Sequence, residues 1–250
     1  MTKWFERVMD IGEQMLISGA EVHRVEESVG RMCRAFGAKR VDVFIITSSM
    51  IVTVSKGDDE TFTQTRRVTS MKFDFEKLHR LNELSRKICQ NHLTVEEIDT
   101  EMRSISRSKR FPFWVELLCY ALIAGAFTYF FGGNVKEMIV SFFIGGFVWL
   151  SVFFSEKILF NKIFAKFYSS AITTFLAFAA VYIGWLTNVD KVIIGNIMTL
   201  IPGVGLTNAI RDLFTGDSIA GLLRLIEAVL TALAIAAGYY LVVVIGGLFV

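Results

Sequence analysis

The sequence predicts an α-helical polytopic membrane protein that carries an amino-terminal cytoplasmic α+β domain. Two observations predict this fold class. Residues 1–110 hold 19 of the 26 Lys and Arg residues and 17 of the 24 Asp and Glu residues, whereas residues 111–250 hold only seven of each. Residues 111–250 also contain apolar runs of about 20 residues, the length that a helix needs to cross about 30 Å of hydrocarbon. We therefore place the boundary between a soluble and a membrane part near residue 110.

Composition argues against several classes of protein. The net charge of +2 is small, and no basic stripe interleaved with aromatic residues indicates a nucleic-acid partner. The three cysteines, Cys33, Cys89 and Cys119, form no CxxC motif. We interpret them as reduced packing residues, and we expect neither a metal site nor a cofactor.

Helical and strand-like patterns alternate in residues 1–110 in the order ααβββαα. Apolar residues recur at helical spacing before Ser18-Gly19, which favours a core-facing helix over an interfacial one. A second helix is predicted over about 20–36, and a capping box of Thr94 with Glu97 begins the last one. The predicted strands form a meander over about 40–47, 50–56 and 61–69.

His23 and Glu27 lie four residues apart on the second predicted helix, with Arg24 and Glu26 beside them. Such a pair could act as a general base with an orienting carboxylate. No nucleophile, glycine-rich phosphate loop or third partner accompanies it, so a solvated helix face with local ion pairs is the better interpretation. We do not predict an enzyme.

Five transmembrane helices are predicted, at about 113–131, 137–155, 168–187, 191–202 and 219–247. The fourth is short because Pro202 and Gly203 break it. Basic residues concentrate before the first span and between the second and third. By the positive-inside rule the amino-terminal domain is cytoplasmic, in the inner membrane of the cell, and the carboxyl end lies outside.

After the break, the sequence LTNAIRDLF predicts a short helix with Thr207 as its N-cap. An interrupted helix at membrane depth is tolerated where it lines a cavity, and transporters bind their solutes in such cavities. The positive end of the helix, near Asn208 and the amides after Gly205, would suit a carboxylate. The same residues could also form an ordinary cytoplasmic loop between two spans.

Arg224 and Glu227 lie three residues apart in the fifth predicted span. Charges near the middle of a span cost about 2.5–3.5 kcal/mol each on insertion scales, so they need a partner or a function. An arginine fork suits a carboxylate substrate, and a buried glutamate suits proton coupling. The alternative is an intrahelical pair at the interface, with Arg224 snorkelling to the headgroups.

These considerations give two sets of candidate residues. The predicted substrate-binding residues are Asn208, Arg224 and Glu227. The predicted gating or coupling residues are Pro202, Gly203, Gly205, Arg211 and Asp212, of which the last two would either gate the cytoplasmic mouth or pair with Arg224 and Glu227.

Three stretches carry a resemblance to a known family: SGAEVHRVEESVGRMCRAFGA, FDFEKLHRLNELSRKICQNHLTVEEI and PGVGLTNAIRDLFTGDSIAGLLRLIEAVL. Together they resemble the amino-terminal half of the threonine/serine exporter family. They also resemble the larger subunit of a two-chain exporter of dicarboxylates such as succinate. The resemblance implies a cytoplasmic domain followed by about five spans. It also implies a second, smaller membrane subunit, and we expect self-association as well.

We therefore expect a subunit of an ion-coupled secondary transporter that exports a small carboxylate-bearing metabolite and needs its partner subunit to do so. The metabolite would be an amino acid of the threonine/serine type or a dicarboxylate. The alternative is a membrane-anchored sensor or enzyme that acts through residues 1–110. Five spans exceed what anchoring needs, and this favours the transporter.

Overall fold

The computed structural model describes residues 3–57, 60–69, 71–107, 111–158, 161–186 and 188–247. Within the basic run before the first span, Lys109 and Arg110 lie outside these residues. The chain divides into two compact units. The first unit comprises Met1–Lys109 and Gly205–Leu225, and the second comprises Arg110–Val204 and Ile226–Val250.

The first unit contains a three-stranded antiparallel sheet and helices from both ends of the chain. Its elements are α1 (Lys3–Ile17), α2 (Val22–Ala35), β1 (Arg40–Ile46), β2 (Ser49–Ser55), β3 (Thr61–Arg67), α3 (Phe75–Asn91), α4 (Val95–Ser106), α9 (Gly203–Thr215, which begins just before the unit's own boundary) and the start of α10 (Ser218–Gly247). The strand order is β1-β2-β3, and Val52 of β2 pairs with Val43 on one side and Gln64 on the other.

The core of this unit is built from apolar faces of α1, α2, α3 and β2. Phe5 and Met9 of α1, Val25 of α2 and Leu81 of α3 are fully buried. Side chains alternate along β2, so that Met50, Val52 and Val54 face the core. The predicted capping box is present at the start of α4, where Thr94 and Glu97 exchange hydrogen bonds.

The boundary of the first unit differs from the predicted one, because Gly205–Leu225 belongs to it and not to the membrane part. Ala220 of α10 joins its hydrophobic core, and Asp212 of α9 is fully buried. Helices α9 and α10 also pack closely on each other. A Cβ atom on Gly221 would lie 2.8 Å from the amide nitrogen of Leu213, so only glycine fits there.

The second unit consists of the helices α5 (Phe113–Phe130), α6 (Val135–Ile158), α7 (Lys162–Tyr182) and α8 (Val189–Ile197), with the rest of α10. Among the described residues, four helices are long and apolar enough to cross a membrane: α5, α6, α7 and α10. The chain is therefore a polytopic membrane protein.

The fourth predicted span does not form a helix of membrane length. Its place is taken by α8, which has nine residues and is about 14 Å long at 1.5 Å per residue. The helix ends at Ile197, before Pro202, because short-range bonds close a turn there. Thr199 donates its amide and its hydroxyl to the carbonyl of Asn196, and the amide of Leu200 bonds the carbonyl of Ile197.

The third predicted span is displaced by several residues. Helix α7 begins at Lys162, because the side chain of Asn161 accepts a hydrogen bond from the amide of Ile163 and so caps it. It ends at Tyr182, where Gly184 adopts a φ of 81° and turns the chain. The predicted end of this span at Thr187 lies outside the described residues.

Small residues allow close helix packing within the second unit. A Cβ atom on Gly145 of α6 would lie 2.6 Å from that of Ala124 in α5. A Cβ atom on Gly238 of α10 would lie 2.2 Å from the carbonyl oxygen of Phe167 in α7. Both glycines therefore serve contacts inside this chain.

Candidate functional site

The link between α1 and α2 is held by polar side chains that come from the far end of the sequence. This link runs from Gly19 to Val22 and contains a glycine with a φ of 94°. Its partners lie on α9 and on the first turns of α10, and all of them belong to the first unit. We refer to this arrangement as the α1–α2 site.

The centre of the α1–α2 site is a buried ion pair between Asp212 and Arg224. An Nη1–Oδ2 distance of 2.9 Å joins the two side chains, which are only 1% and 4% exposed, respectively. Arg224 also donates from Nη2 to the carbonyl of Ala20 at 3.0 Å. The other oxygen of Asp212 accepts from the amide of Val22 at 3.3 Å. Removing one member of such a pair leaves an uncompensated buried charge, at a cost of about 3–5 kcal/mol.

Two further contacts tie α9 to the same link. Asn208 donates its side-chain amide to the carbonyl of Gly19 at 3.2 Å. Arg211 forms an ion pair with Glu21, and it is half-exposed, so this pair contributes little to stability compared with the buried one. Of the two pairings that the sequence left open, Asp212 therefore pairs with Arg224, whereas Arg211 does not.

Acidic groups accumulate around this ion pair. Burial raises the pKa of the Asp212 carboxyl, while Arg224 and the amide of Val22 offset part of the rise. Burial also raises the pKa of the Glu26 carboxyl, and the negative charge of Asp217 adds to it. The carboxylate of Glu26 accepts a hydrogen bond from the amide of Ile45 at 3.0 Å. Both carboxyl groups therefore bind a proton more readily than they would in water.

Arg224 keeps unused hydrogen-bonding capacity in this arrangement. Its Nε is buried and has no hydrogen-bond partner within the described ranges. The same is true of the hydroxyl of Ser18 and of one carboxylate oxygen of Asp217. A guanidinium with a single carboxylate partner and an unused N–H can donate a hydrogen bond to a second anionic oxygen. The described residues contain no cluster of three or more His, Cys, Asp or Glu placed to bind a metal ion.

Not every predicted site residue converges on the α1–α2 site. The side chain of Glu227 is exposed and forms no ion pair with any described residue. Pro202 precedes α9, which begins at Gly203 and runs through Gly205. Thr207 is therefore not the N-cap that the sequence suggested, because the helix starts four residues earlier, and Asn208 lies in its second turn.

A polar cluster in the second unit escaped the sequence analysis. Thr128 of α5, Ser141 of α6 and Asn196 of α8 are all fully buried. The Thr128 hydroxyl lies 2.6 Å from that of Ser141, and Asn196 donates its side-chain amide to Ser141 at 2.7 Å. The side-chain oxygen of Asn196, Oδ1, has no hydrogen-bond partner among the described residues. The signal in the sequence was a lone Asn in an apolar run beside Gly195.

A carboxylate lies at the start of α6, one turn from this cluster. Glu137 is 1% exposed and accepts hydrogen bonds from the amide of Asn134 and from both the amide and the side chain of Asn188. Asn134 in turn accepts from the amide of Glu137, so the two residues form an N-terminal cap for α6. Glu137 therefore also joins α6 to the start of α8.

Comparison with known proteins finds relatives of two kinds. The chain is 26% identical over 244 residues to the probable succinate transporter subunit YjjP of Escherichia coli (strain K12), covering 94% of this chain and 91% of that protein. It is similarly related to YjjP of Klebsiella aerogenes, at 26% identity over 243 residues and with 90% of that protein covered. No solved structure gives a significant match.

The second kind of relative is a longer fungal protein. The chain is 23% identical over 241 residues to pheromone-regulated membrane protein 10 of Eremothecium gossypii, and it spans 32% of that protein's length. The model of the putative threonine/serine exporter family matches residues 6–246 of this chain. This match covers nearly the whole sequence, so the chain belongs to the threonine/serine exporter family and is a membrane transporter protein, not an enzyme.

Proposed function

We propose that this chain is one subunit of an ion-coupled secondary transporter that exports a small carboxylate-bearing metabolite across the cytoplasmic membrane. The metabolite is an amino acid of the threonine/serine type or a dicarboxylate such as succinate. The observation that carries the substrate class is the buried guanidinium of Arg224, which is balanced by one carboxylate and keeps an unused Nε–H. A planar fork of this kind binds a carboxylate with two parallel hydrogen bonds.

In the proposed mechanism, the substrate carboxylate replaces Asp212 on Arg224. A proton that arrives at Asp212 neutralises its carboxylate and weakens its hold on the guanidinium. The substrate then takes that place, while Asn208 of α9 supplies a side-chain amide. Burial already raises the pKa of Asp212, which makes it suited to take up the proton. Loss of the proton from Asp212 restores the ion pair and releases the substrate.

Four other residues keep, in this proposal, the roles that the sequence predicted for them. Glu227 is a second candidate for the coupling proton, because it lies one turn further along α10. Pro202 and Gly203 separate α8 from α9, so a rotation about this break would move Asn208 and Asp212 together. Arg211 would act at the cytoplasmic mouth through its ion pair with Glu21.

The chain path supports five membrane crossings with the amino-terminal domain in the cytoplasm. Helices α5, α6 and α7 cross three times, so the chain after α7 is on the side opposite to its amino terminus. Gly205–Leu225 belongs to the same compact unit as residues 1–109, and on that ground we assign it to the same side as the amino terminus. Residues 183–204, with the short α8, therefore return across the membrane, and α10 makes the fifth crossing.

A second, smaller membrane subunit completes the proposed transporter, and the chain also self-associates. The relative YjjP is named as a subunit, which supports a partner. Large apolar side chains of α10 are exposed within this chain, among them Leu230, Leu233 and Leu241. Lipid or a partner helix would cover them. Gly145 and Gly238 already form contacts within the chain, so they are less available for contacts with a partner subunit or a second copy.

The test is an efflux assay in cells that lack endogenous exporters and are loaded with threonine, serine or succinate. The chain is expressed with and without candidate partner membrane proteins. We expect export of one of these compounds only with a partner. Arg224→Lys keeps the charge but loses the fork, so we expect export to fall about tenfold or more while the protein still reaches the membrane. Wild-type export by Arg224→Lys would place the substrate site elsewhere.

The pH dependence of export separates the two candidate coupling residues. Asp212→Asn removes a titrating group and keeps the shape of the side chain. We expect it to abolish the dependence of export on pH, and we expect Glu227→Gln to retain it. The opposite result would assign the coupling proton to Glu227. A steep pH dependence in both variants would show that neither group carries it.

A further inference from the structure

A polar groove of about 320 Å³ lies between α2 and α3 on the first unit. Its walls carry three arginines, Arg24 and Arg31 of α2 and Arg86 of α3. Asn82 and Gln90 of α3 add side-chain amides. We call this the α2–α3 groove. It shares no residue with the α1–α2 site described above.

The charges in the groove do not balance. Arg31 pairs with Glu27, which lies one turn earlier on the same helix. Arg24 and Arg86 form no ion pair with any residue of the described ranges, and both side chains are exposed. Two guanidinium groups on facing helices therefore remain without a carboxylate. The excess of two positive charges sets the charge of a matching ligand.

Polar groups that can hold an anion extend along the groove. The hydroxyl of Ser28 is half-buried and has no hydrogen-bond partner among the described residues, so it is available as a donor. Ser85 lies deeper and donates to the carbonyl of Asn82. Cys89 lies at the same wall, and burial raises the pKa of its thiol, so it adds no negative charge at neutral pH.

The scaffold beneath the groove is rigid. Val25 and Val29 of α2 and Leu84 and Ile88 of α3 are buried in the core directly beside the groove residues. Both helices therefore present their arginines from fixed backbones, and only the side chains need to be ordered when a ligand binds. The planar fork of a guanidinium is itself rigid, so less entropy is lost for each hydrogen bond that it forms with an anion.

We propose that the α2–α3 groove binds a small soluble dianion, held between Arg24 and Arg86 with Ser28 and the side-chain amides as further donors. A phosphate group or a short dicarboxylate has this charge and size. The groove shares no residue with the α1–α2 site, so the ligand proposed here occupies a second site on the first unit, apart from the proposed substrate site. The binding itself does not depend on the transport proposal, and it can be measured without any transport assay.

The experiment titrates the purified full chain, in detergent micelles at pH 8, with inorganic phosphate by isothermal calorimetry. Phosphate is largely a dianion at this pH, and acetate serves as the monoanion. We expect saturable binding of phosphate and at least tenfold weaker binding of acetate. The double variant Arg24→Gln/Arg86→Gln should weaken phosphate binding by about tenfold to a hundredfold.

The matched control is Arg34→Gln/Arg67→Gln, which removes two exposed arginines of the same unit that do not line the groove. It should bind phosphate like the wild type. A second readout is the alkylation of Cys89 by iodoacetamide, followed residue by residue with mass spectrometry, because phosphate in the groove should slow it. Because alkylation is measured on the wild-type protein, it locates the ligand even if a variant folds poorly.

Three results would overturn the proposal. One is the absence of saturable phosphate binding to the wild type, with no protection of Cys89. Another is equal binding by the groove variant and the control variant, which would place the anion elsewhere. The third is binding only to vesicles that contain phosphatidylglycerol, and not to soluble phosphate, which would make the arginines a contact for lipid headgroups.

Discussion

Arg224 shows how far single residues could be interpreted from the sequence. A charge at the start of an apolar helix indicates that a partner exists, because an unpaired buried charge is costly. The sequence offered Glu227 as the neighbour at helical spacing and left open a pairing with Arg211 or Asp212. The structure pairs Arg224 with Asp212, across the turn at Gly216 between α9 and α10. The partner depends on this turn geometry, which the spacing of residues along one helix cannot reveal.

The buried pair makes a testable prediction about stability. Arg224→Met leaves Asp212 buried without a counter-charge, so we expect a loss of about 3–5 kcal/mol in the free energy of unfolding. Asp212→Leu/Arg224→Met removes both charges and should recover most of that loss. The measurement is thermal unfolding in detergent micelles. Arg211→Gln, which breaks an exposed pair, is the control and should change stability by less than about 1 kcal/mol. A double variant as unstable as Arg224→Met would contradict this account.

Glu26 predicts a pH dependence of stability. Its pKa is raised in the folded unit by burial and by Asp217, with a smaller contribution of the same sign from Asp212, whereas the amide of Ile45 and His23 oppose the rise. The folded unit therefore holds this proton more tightly than the unfolded chain. The stabilisation is fully present below the unfolded pKa and is lost as the pH rises through the raised pKa.

The test of this dependence is Glu26→Gln, which cannot ionise but can still accept from the amide of Ile45. We expect the variant to unfold at a higher temperature than the wild type at pH 8 and at about the same temperature at pH 4. The melting temperature of both proteins is measured across this range. An equal difference at both pH values would show that the effect comes from packing and not from ionisation.

At the scale of elements, periodicity and turn residues predicted most of what the structure contains. The three strands and the long apolar helices come within a few residues of their predicted positions, because alternation and apolar run length are local signals. Helix α8 is the exception. Its end at Ile197 depends on hydrogen bonds of Thr199 and on packing against α5 and α6, neither of which the Pro202-Gly203 signal encodes.

The contact between α8 and α5 requires glycine at position 195. A Cβ atom there would lie 2.1 Å from the hydroxyl oxygen of Thr128 and 2.7 Å from its backbone nitrogen, so the two helices would have to separate. We expect Gly195→Ala to lower the melting temperature clearly and to disrupt the cluster of Thr128, Ser141 and Asn196. The matched control is Gly146→Ala on α6, where a Cβ atom meets only a leucine methyl at 3.8 Å.

The control variant should be neutral or more stable, since alanine is favoured over glycine in a helix by about 1 kcal/mol. The measurement is the melting temperature of both variants in detergent micelles, compared with that of the wild type. If Gly195→Ala were as stable as Gly146→Ala, the close approach of α8 to α5 would not be needed.

At the scale of the whole molecule, the division of the chain was only partly visible in the sequence. The charge asymmetry located the change near residue 110, and the first of the two segments that make up the first unit ends at Lys109. It did not reveal that Gly205–Leu225 returns to that unit. Residues that form contacts between the two segments lie about 190 positions apart in the sequence, and no local sequence pattern predicts contacts of such long range.

The chain path predicts the side of the membrane on which each connection lies. The test replaces Arg107, Trp185 or Thr215 by a single cysteine. Each variant is treated with a membrane-impermeant maleimide, first in intact cells and then after permeabilisation. Five crossings predict that only the cysteine at 185 reacts in intact cells. The other two should react only after permeabilisation. Labelling of 185 and 215 from the same side would mean that α8 and its flanking turns do not cross.

Helix α2 does not cap its own amino terminus: the side chain of Glu21, at the N-cap position, makes no capping hydrogen bond, and Asp212 supplies the acceptor for the amide of Val22. The first unit therefore cannot be finished during synthesis until residue 212 has left the ribosome. By then α5 to α8 have already been synthesised. Folding of the amino-terminal part is thus timed by the membrane helices, and a chain whose insertion stalls would expose an incomplete amino-terminal unit to proteases.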